Sequence, residues 1–491
     1  MTKGIGCMTS PKSTRNKLDR LQKLVRSREP LPTTSTPRPK EENTDSKDPL
    51  SRLENELLGE RSEGGAPLTV KERLERLVDA ASRSRPKSLH ALDEAERQIV
   101  SLDEVLNGQG MENDHGQFYT IDYEYSFDYC HGQTDLSRLK SVPSSSLSVL
   151  ARGNDELDLD LTRTVFLDTE TTGLAGGSGT CAFLVGIGFL EGELFRVRQF
   201  FMRDYSEEEA MLHELAGALS DFESLVSFNG KSFDVPLLES RYILARQRFP
   251  LTEVPHFDLL HPARNLWKAR LDSCRLTELE YALLGHERED DVPGELIPGL
   301  YFDYIRSKDA SRIHKVFSHN CHDILSLAAL TIRASEMLDE NLESENPLDD
   351  YSLGRIFERA ELPERSIQHY KRVLDSGIGG TPRRRSLRQL AHQHKRRGEI
   401  EEALALWKDL IVEDGAEAIQ ACEELAMVHE HRDKDFRTAL AVCDKALERI
   451  EEDYHLPFGF RERYRGAFQH RRRRLEQKLQ KEIKPKRISR Q

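Results

Sequence analysis

The 491-residue chain has few cysteines and no long apolar segment, and each shortage excludes a class of protein. The longest apolar run, Cys181 to Leu190, contains two glycines and is about half as long as a membrane-spanning helix. The first residues contain no apolar core of the kind that a secretory signal needs. The seven cysteines are odd in number and include no CxxC pair, which argues against a disulfide framework and a thiolate zinc site. We therefore expect a cytoplasmic protein without a membrane segment.

Glycine and proline follow no period, which excludes collagen-like and low-complexity chains, and charge is the more informative feature. Residues 1–40 carry a net charge of +8 and residues 461–491 a net charge of +10. Because the whole chain has a formal charge of −13, residues 41–460 carry −31. Basic tails can bind nucleic-acid phosphates, but solvated chain ends have the same composition, so charge alone leaves both interpretations open.

Composition and hydrophobic period divide the chain into five segments. The first is expected to be largely disordered, with short amphipathic helices, and the second to contain one or more strands, among them 118–129. The third predicts an α/β domain, the fourth predicts helical repeats, and the fifth predicts a basic helix or tail. The segments are residues 1–95, 96–150, 151–338, 348–455 and 456–491.

The third segment predicts a mixed sheet with flanking helices. A buried strand at 164–169 is followed by a Gly-rich turn and by a hairpin of strands at 181–190 and 194–202. Ser206 is the predicted N-cap of a helix over 206–219, with Glu209 at the capping-box position. Helices and strands then alternate, which is typical of helices packed on a sheet. The remaining strands are predicted at 224–229 and 256–261, and the remaining helices at 234–247, 276–285 and 311–338.

The fourth segment contains three helical blocks that align with one another, spaced 37 and 36 residues apart. Each block has a small residue followed four positions later by a larger one. The small residues are Ser366, Ala403 and Ala439, and the larger ones are Tyr370, Trp407 and Cys443. The blocks resemble tetratricopeptide (TPR) repeats, with an ordinary helical bundle as the alternative. In either case the segment is expected to pack or to bind a partner rather than to carry chemistry.

Three polar motifs of the α/β segment are the candidates for chemistry. Asp168 and Glu170 stand at positions i and i+2 at the end of a strand and therefore point to one face. Two carboxylates there repel each other unless a cation binds, and a divalent metal ion is the natural counter-charge. A solvated strand end is the alternative interpretation.

The second motif places Asn229 at the end of a strand and Asp234 at the start of a helix. A tight turn at Asn229 and helix capping by Asp234 are the structural alternatives. In the third motif, His319 and Asp323 are four residues apart and lie on one face of a helix, an arrangement that a surface contact also explains.

Together and in this order, the motifs resemble those of the DEDD exonuclease family, which has an RNase H-like fold. Asp168 and Glu170 match its DxE motif, and Asn229, Phe233 and Asp234 match Nx3(F/Y)D. The phrases FLDTETTGLAGGSGT, SFNGKSFDVPLLESR and HNCHDILSL are typical of bacterial predicted nucleases that carry C-terminal TPR repeats.

The third motif departs from the family. The family has a tyrosine four residues, or a histidine five residues, before the last acid, whereas His319 lies four residues before Asp323. This spacing leaves the role of the histidine more open than the roles of the four acids.

The resemblance implies a metal-dependent 3′–5′ exonuclease that acts on DNA or RNA. It implies two Mg²⁺ or Mn²⁺ ions held by Asp168, Glu170, Asp234 and Asp323, with His319 acting on the attacking water. Candidate substrate contacts are Thr169, Gly176, Gly177, Asn229 and Lys231. A catalytically silent nucleic-acid-binding TPR scaffold and a structure-specific endonuclease are the alternatives. Asp258 is either a further acid of the site or a residue that orders a neighbouring loop.

Overall fold

The computed structural model describes residues 99–151, 157–173, 179–340, 342, 344 and 346–483. The predicted disorder and amphipathic helices of the first 95 residues lie outside this part of the chain. The same holds for Gly176 and Gly177.

A seven-stranded mixed sheet confirms the predicted fold class of the α/β segment. Its strand order is β1-β2-β7-β6-β5-β8-β9, antiparallel from β1 through β5 and parallel from β5 through β9. β3 and β4 form a separate short hairpin. The strands are β1 Gln109–Asn113, β2 Gly116–Ser126, β3 Cys130–His131, β4 Thr134–Asp135, β5 Thr164–Thr171, β6 Ala182–Glu191, β7 Leu194–Phe201, β8 Ser224–Ser227 and β9 His256–Asp258.

The alternating segment of the N-terminal extension completes this sheet, because β2 pairs with β7 over its last eight residues. From Ile121 to Ser126 the odd-numbered residues are the more buried ones, as the alternation predicts. The strand ends at Ser126 rather than at residue 129, because a turn then leads into the β3–β4 hairpin.

Helices cover both faces of the sheet. Val165 and Leu167 of β5 belong to one apolar core with α3, α4 and α7, whereas Phe166 between them belongs to a second core with α5 and most of α8. Adjacent strand residues face opposite ways, so the two cores lie on the two faces. The helices are α1 Leu102–Val105, α2 Ser144–Leu150, α3 Glu208–Leu219, α4 Asp234–Leu244, α5 Leu260–Trp267, α6 Leu276–Leu279, α7 Ile297–Ser307 and α8 His314–Glu336.

Two helix predictions are wrong in detail. The Asp204 carboxylate, not Ser206, caps a short 3-10 turn over 205–207, and α3 begins only at Glu208. Glu209 bonds to the His115 ring at 2.9 Å instead of closing a capping box. The helix predicted over 276–285 is α-helical only in α6 and continues as a π-helical turn over 280–284. Glu280, within that turn, is buried and pairs with Arg288, a contact that no local pattern predicts.

The predicted helical repeats are confirmed as consecutive packed helices. All six aligned small and large positions are buried, and a Cβ at Gly354 would lie 2.7 Å from the Tyr370 ring, so close helix packing requires glycine there. None of the described helices combines the length and the apolar character needed to cross a bilayer. The helices are α9 Pro347–Arg359, α10 Pro363–Asp375, α11 Gly380–Arg396, α12 Ile400–Leu410, α13 Ala416–His431, α14 Phe436–Glu452 and α15 Phe458–Ile483.

Candidate active site

The acidic pair of β5 lies under α8. Asp168 and Glu170 share with Phe166 the sheet face that α8 covers, because alternate residues of a strand point the same way. Asn320 of α8 donates its side-chain amide to the Asp168 carboxylate at 2.8 Å. Asp323 follows Asn320 by three residues on the same helix and therefore reaches the same edge of the sheet.

A glycine on the neighbouring strand makes room for this contact. Gly186 of β6 is the register partner of Asp168, and a Cβ at position 186 would lie 2.1 Å from the Asn320 side-chain oxygen. That oxygen accepts a hydrogen bond from Gln199 at 2.8 Å. Gly186 therefore lets α8 approach closely enough for Asn320 to hold Asp168.

The second motif brings Asp234 to the site from the start of α4. Asp234 is buried, and its carboxylate accepts a hydrogen bond from the Thr169 hydroxyl. The Thr169 side chain, a candidate substrate contact from sequence, is thus directed to the acid of the second motif. Asn229 has a φ of 68°, a left-handed conformation that asparagine tolerates better than most residues.

Asp258 orders the loop of the second motif, as one of the two sequence interpretations predicts. Its carboxylate accepts the backbone N–H groups of Asn229 at 2.7 Å and of Lys231 at 3.1 Å. It also accepts the backbone N–H of Leu260, at 3.1 Å. The Asp258 side chain is therefore engaged by the backbone.

His319 joins the acids through one ring nitrogen only. Ligand atoms of Glu170, His319 and Asp323 all lie within 4.8 Å of one another. The His319 Nε2 is 3.9 Å from Glu170 and 3.5 Å from Asp323, which is too far for a strong hydrogen bond to either. Its Nδ1 lies 2.8 Å from Asp291, and because a carboxylate only accepts, Nδ1 carries the proton. Nε2 therefore faces the acids.

Arg288 is the cation of the site and was missed by sequence reasoning. Its side chain is only 5% exposed and forms ion pairs with Glu280 and Asp323. It also lies 3.3 Å from Asp291, the partner of His319. The run of charges over 287–291 was the available signal, but nothing in its spacing linked it to the motifs.

The acids repel one another in spite of Arg288. Burial and the charges of Asp323 and Asp234 raise the pKa of Asp168 well above its usual range. Burial and the same neighbouring acids raise the pKa of Glu170, and burial raises the pKa of Asp234 to about 6. The cluster thus holds more negative charge than its protein cations offset. Carboxylate oxygens with one imidazole suit a divalent cation such as Mg²⁺ or Mn²⁺.

The histidine and its partner stabilise each other's charge. Burial acts to lower the pKa of His319, but the hydrogen bond to Asp291 and the charges of Asp323 and Asp291 outweigh it and raise that pKa. Burial acts to raise the pKa of Asp291, but the hydrogen bond with His319 and the charges of His319 and Arg288 hold it at about 2.

Comparison with known proteins agrees with this geometry. Residues 165–335 match the RNase H superfamily model, and residues 352–452 match the tetratrico peptide repeat model. The uncharacterized protein YprB of Bacillus subtilis (strain 168) is 33% identical over 333 residues, which cover 66% of this chain and 79% of that protein. The chain belongs to the RNase H superfamily.

The positions of these two matches along the chain confirm the predicted order of an RNase H-like domain followed by TPR repeats. All described motif acids of this RNase H domain meet at one edge of the sheet. Asn229 lines a cleft beside that edge, whereas Lys231 is exposed on the adjoining loop.

Proposed function

We propose that the chain is a metal-dependent nuclease that removes nucleotides from the 3′ ends of DNA or RNA. The observation that carries this proposal is the convergence of Asp168, Glu170, Asp234 and Asp323 beside the inward-facing nitrogen of His319. Their mutual repulsion is costly for the fold alone, and perturbed acids of this kind are typical of functional sites.

The four acids would hold two Mg²⁺ or Mn²⁺ ions, and Glu170 and Asp323 are the two acids whose ligand atoms lie with His319 within 4.8 Å of one another. When bound, such ions lower the pKa of a water molecule and stabilise charge on the leaving oxygen. Asn320 orients Asp168, Thr169 orients Asp234, and Arg288 orients Asp323. Three of the four acids are thus each fixed by a neighbour.

His319 would take the proton of the attacking water at Nε2. Asp291 keeps the proton on Nδ1, so that in the neutral form of the ring Nε2 presents its lone pair to the acids. The four-residue spacing to Asp323 leaves this nitrogen 3.5 Å from that acid, which supports a role for the displaced histidine.

The remaining assignments follow from position. Asn229 and Lys231, with Gly176 and Gly177 of the Gly-rich turn, would contact the substrate. The repeats over 348–455 would bind a partner protein, and the nuclease domain would extend over 151–338. Six cysteines of the described part are free thiols and four of them are buried, which supports a cytoplasmic location.

The test is degradation of 3′- and 5′-labelled single-stranded DNA and RNA by the full chain with Mn²⁺. Asp168→Ala and a chelator should abolish it, whereas Asp221→Ala, at an exposed acid after α3, should not. Loss of nucleotides from the 3′ end by wild type alone would support the proposal. Cleavage of circular substrates would favour an endonuclease, and binding without cleavage would favour the silent scaffold.

A further inference from the structure

A cleft of about 600 Å³ opens beside the acidic site and has two unlike walls. One wall carries Asp168 and Asp323. The other is formed by α5 and the segment that follows it, and it carries the three cations Arg264, Lys268 and Arg275 and one acid, Asp272. We propose that this second wall, the basic face, binds backbone phosphates of a single-stranded nucleic acid whose end reaches the acids. This inference rests on the proposed function for the direction of the strand.

The basic face is presented by the amphipathic character of α5. Ala263, Leu266 and Trp267 are buried in the core against the sheet. Arg264 and Lys268 are four residues apart, so they share the opposite, solvent-facing side of the helix. Arg275 is exposed on the segment after it.

The cations of the basic face are not used in ion pairs. Among the residues that the structure describes, no carboxylate comes within 4.0 Å of a side-chain nitrogen of Arg264, Lys268 or Arg275. Lys268 donates only to the backbone oxygen of Asp272. By contrast, nearby Arg270 pairs with Asp349 at 2.7 Å. Three cations without a carboxylate partner thus line the same cleft as Asp168 and Asp323.

This arrangement suits a polyanion that must approach an acidic site. The acids repel phosphate until metal ions neutralise them, and cations on the facing wall supply attraction for neighbouring phosphates. Phe228, Leu260 and Leu276 also line the cleft and offer apolar surface for bases. A cleft of about 600 Å³ has the size of a small-molecule pocket and takes one or two nucleotides rather than a duplex.

Contacts with the first repeat helix and with the residue after α8 hold α5 in place. Asn265 of α5 accepts a hydrogen bond from Arg359 of α9 at 3.3 Å, and Trp267 donates to the Met337 sulfur at 2.9 Å. The Arg270–Asp349 ion pair joins the segment after α5 to α9. These contacts hold α5 and the segment after it, and therefore the cations of the basic face, against the rest of the domain.

The proposal is tested by the affinity of the full chain for a 5′-labelled oligodeoxythymidine, measured by fluorescence anisotropy with chelator present. The test variant is Arg264→Glu/Lys268→Glu/Arg275→Glu. The control is Arg396→Glu/Lys408→Glu/Arg437→Glu, at exposed positions of the repeats with the same change in net charge. The test variant should weaken binding by at least about tenfold and lower the salt-dependence slope by about 2, since each single-strand phosphate contact contributes about 0.7. The control should bind like wild type.

Equal losses in both variants would overturn the proposal, because net charge alone would explain them. A milder variant, Arg264→Gln/Lys268→Gln/Arg275→Gln, with an unchanged thermal melt, should weaken binding in the same direction. Unlabelled blunt duplex should compete less well than single strand, and equal competition would overturn the single-strand assignment. The anisotropy assay measures binding and not cleavage. If the nuclease assay fails but the test variant still loses binding, the basic face is supported and the proposed nuclease function is not. If wild type cleaves nucleic acid but the test variant binds as tightly as wild type, the basic face is overturned and the proposed nuclease function is not.

Discussion

Two buried glutamates of this chain show how the RNase H domain differs from the repeats. Glu430 of α13 is fully buried and forms ion pairs with Arg474 and Lys478 of α15. Burial acts to raise the pKa of Glu430, but hydrogen bonds from these two cations hold it at about 2. Glu170 is buried among other acids, and its pKa is raised. A buried acid paired with cations joins helices, whereas a group of buried acids with fewer cations than acids is suited to bind a metal ion.

The largest expected effect follows from Glu170→Gln. It removes one of the proposed metal ligands, so activity on a labelled single strand should fall roughly a thousandfold, equivalent to several kcal/mol of barrier. The same change removes repulsion, so the metal-free protein should unfold at a higher temperature than wild type. Thermal melts with chelator measure this. A less stable metal-free variant would mean that Glu170 is a paired structural acid like Glu430.

Asp291→Asn should have the next largest effect. An amide at this position no longer requires the proton on the His319 Nδ1, so kcat should fall by about 10- to 100-fold with little change in KM. Steady-state kinetics with Mn²⁺ measures this. The matched control is Asp290→Asn, since Asp290 is exposed and pairs with Lys315 instead. An equal effect of both substitutions would show that the loop, and not the hydrogen bond to His319, matters.

Glu430→Gln should act on stability alone. It leaves two cations of α15 without their buried partner, and because Arg474 and Lys478 are about one-third exposed, the expected cost is about 2 kcal/mol. Urea unfolding measures it, and kcat should stay at the wild-type value. If Glu430→Gln lowered kcat strongly without changing the free energy of unfolding, Glu430 would not be a purely structural acid, and it would no longer differ from Glu170.

The smallest expected effect is the pH dependence of the metal-free protein. The folded pKa of Asp234 is about 6, above its ordinary value near 4, so the folded state binds the proton more tightly. Its stabilising contribution is therefore complete below about pH 4 and is lost as the pH rises through about 6. Urea unfolding with chelator at several pH values should show this decline relative to Asp234→Asn. If the free energy of unfolding of wild type and of Asp234→Asn changed with pH in parallel, the prediction would be contradicted.

Much of the fold was predictable because its signals are local. The alternation over 118–129, the apolar strand before Asp168 and the small–large spacing at Ser366 and Tyr370 each reflect one periodicity. The prediction that Ser206 caps the helix was wrong because the Asp204 carboxylate accepts the Ser206 backbone N–H and begins a 3-10 turn before α3.

The partners of the site were not predictable in the same way. Arg288 and Asp291 come from a segment after the π-helical turn, and Asn320 depends on the space above Gly186 on another strand. A glycine in an apolar run does not indicate which side chain will occupy the space above it. These contacts exist only once distant elements have packed.

The sequence by itself determined that the acids of the first two motifs lie near the end of a strand and at the start of a helix, and that His319 and Asp323 share one helix face, because strand and helix periods are local properties of the chain. The tertiary structure alone decided their environment. It placed α8 over β5, directed Arg288 to Asp323 and Asp291 to His319, and brought the cations of the basic face into the same cleft as the acids. The physical reason is that pKa values and ion pairs depend on distance and burial, which arise only when elements remote in sequence pack together.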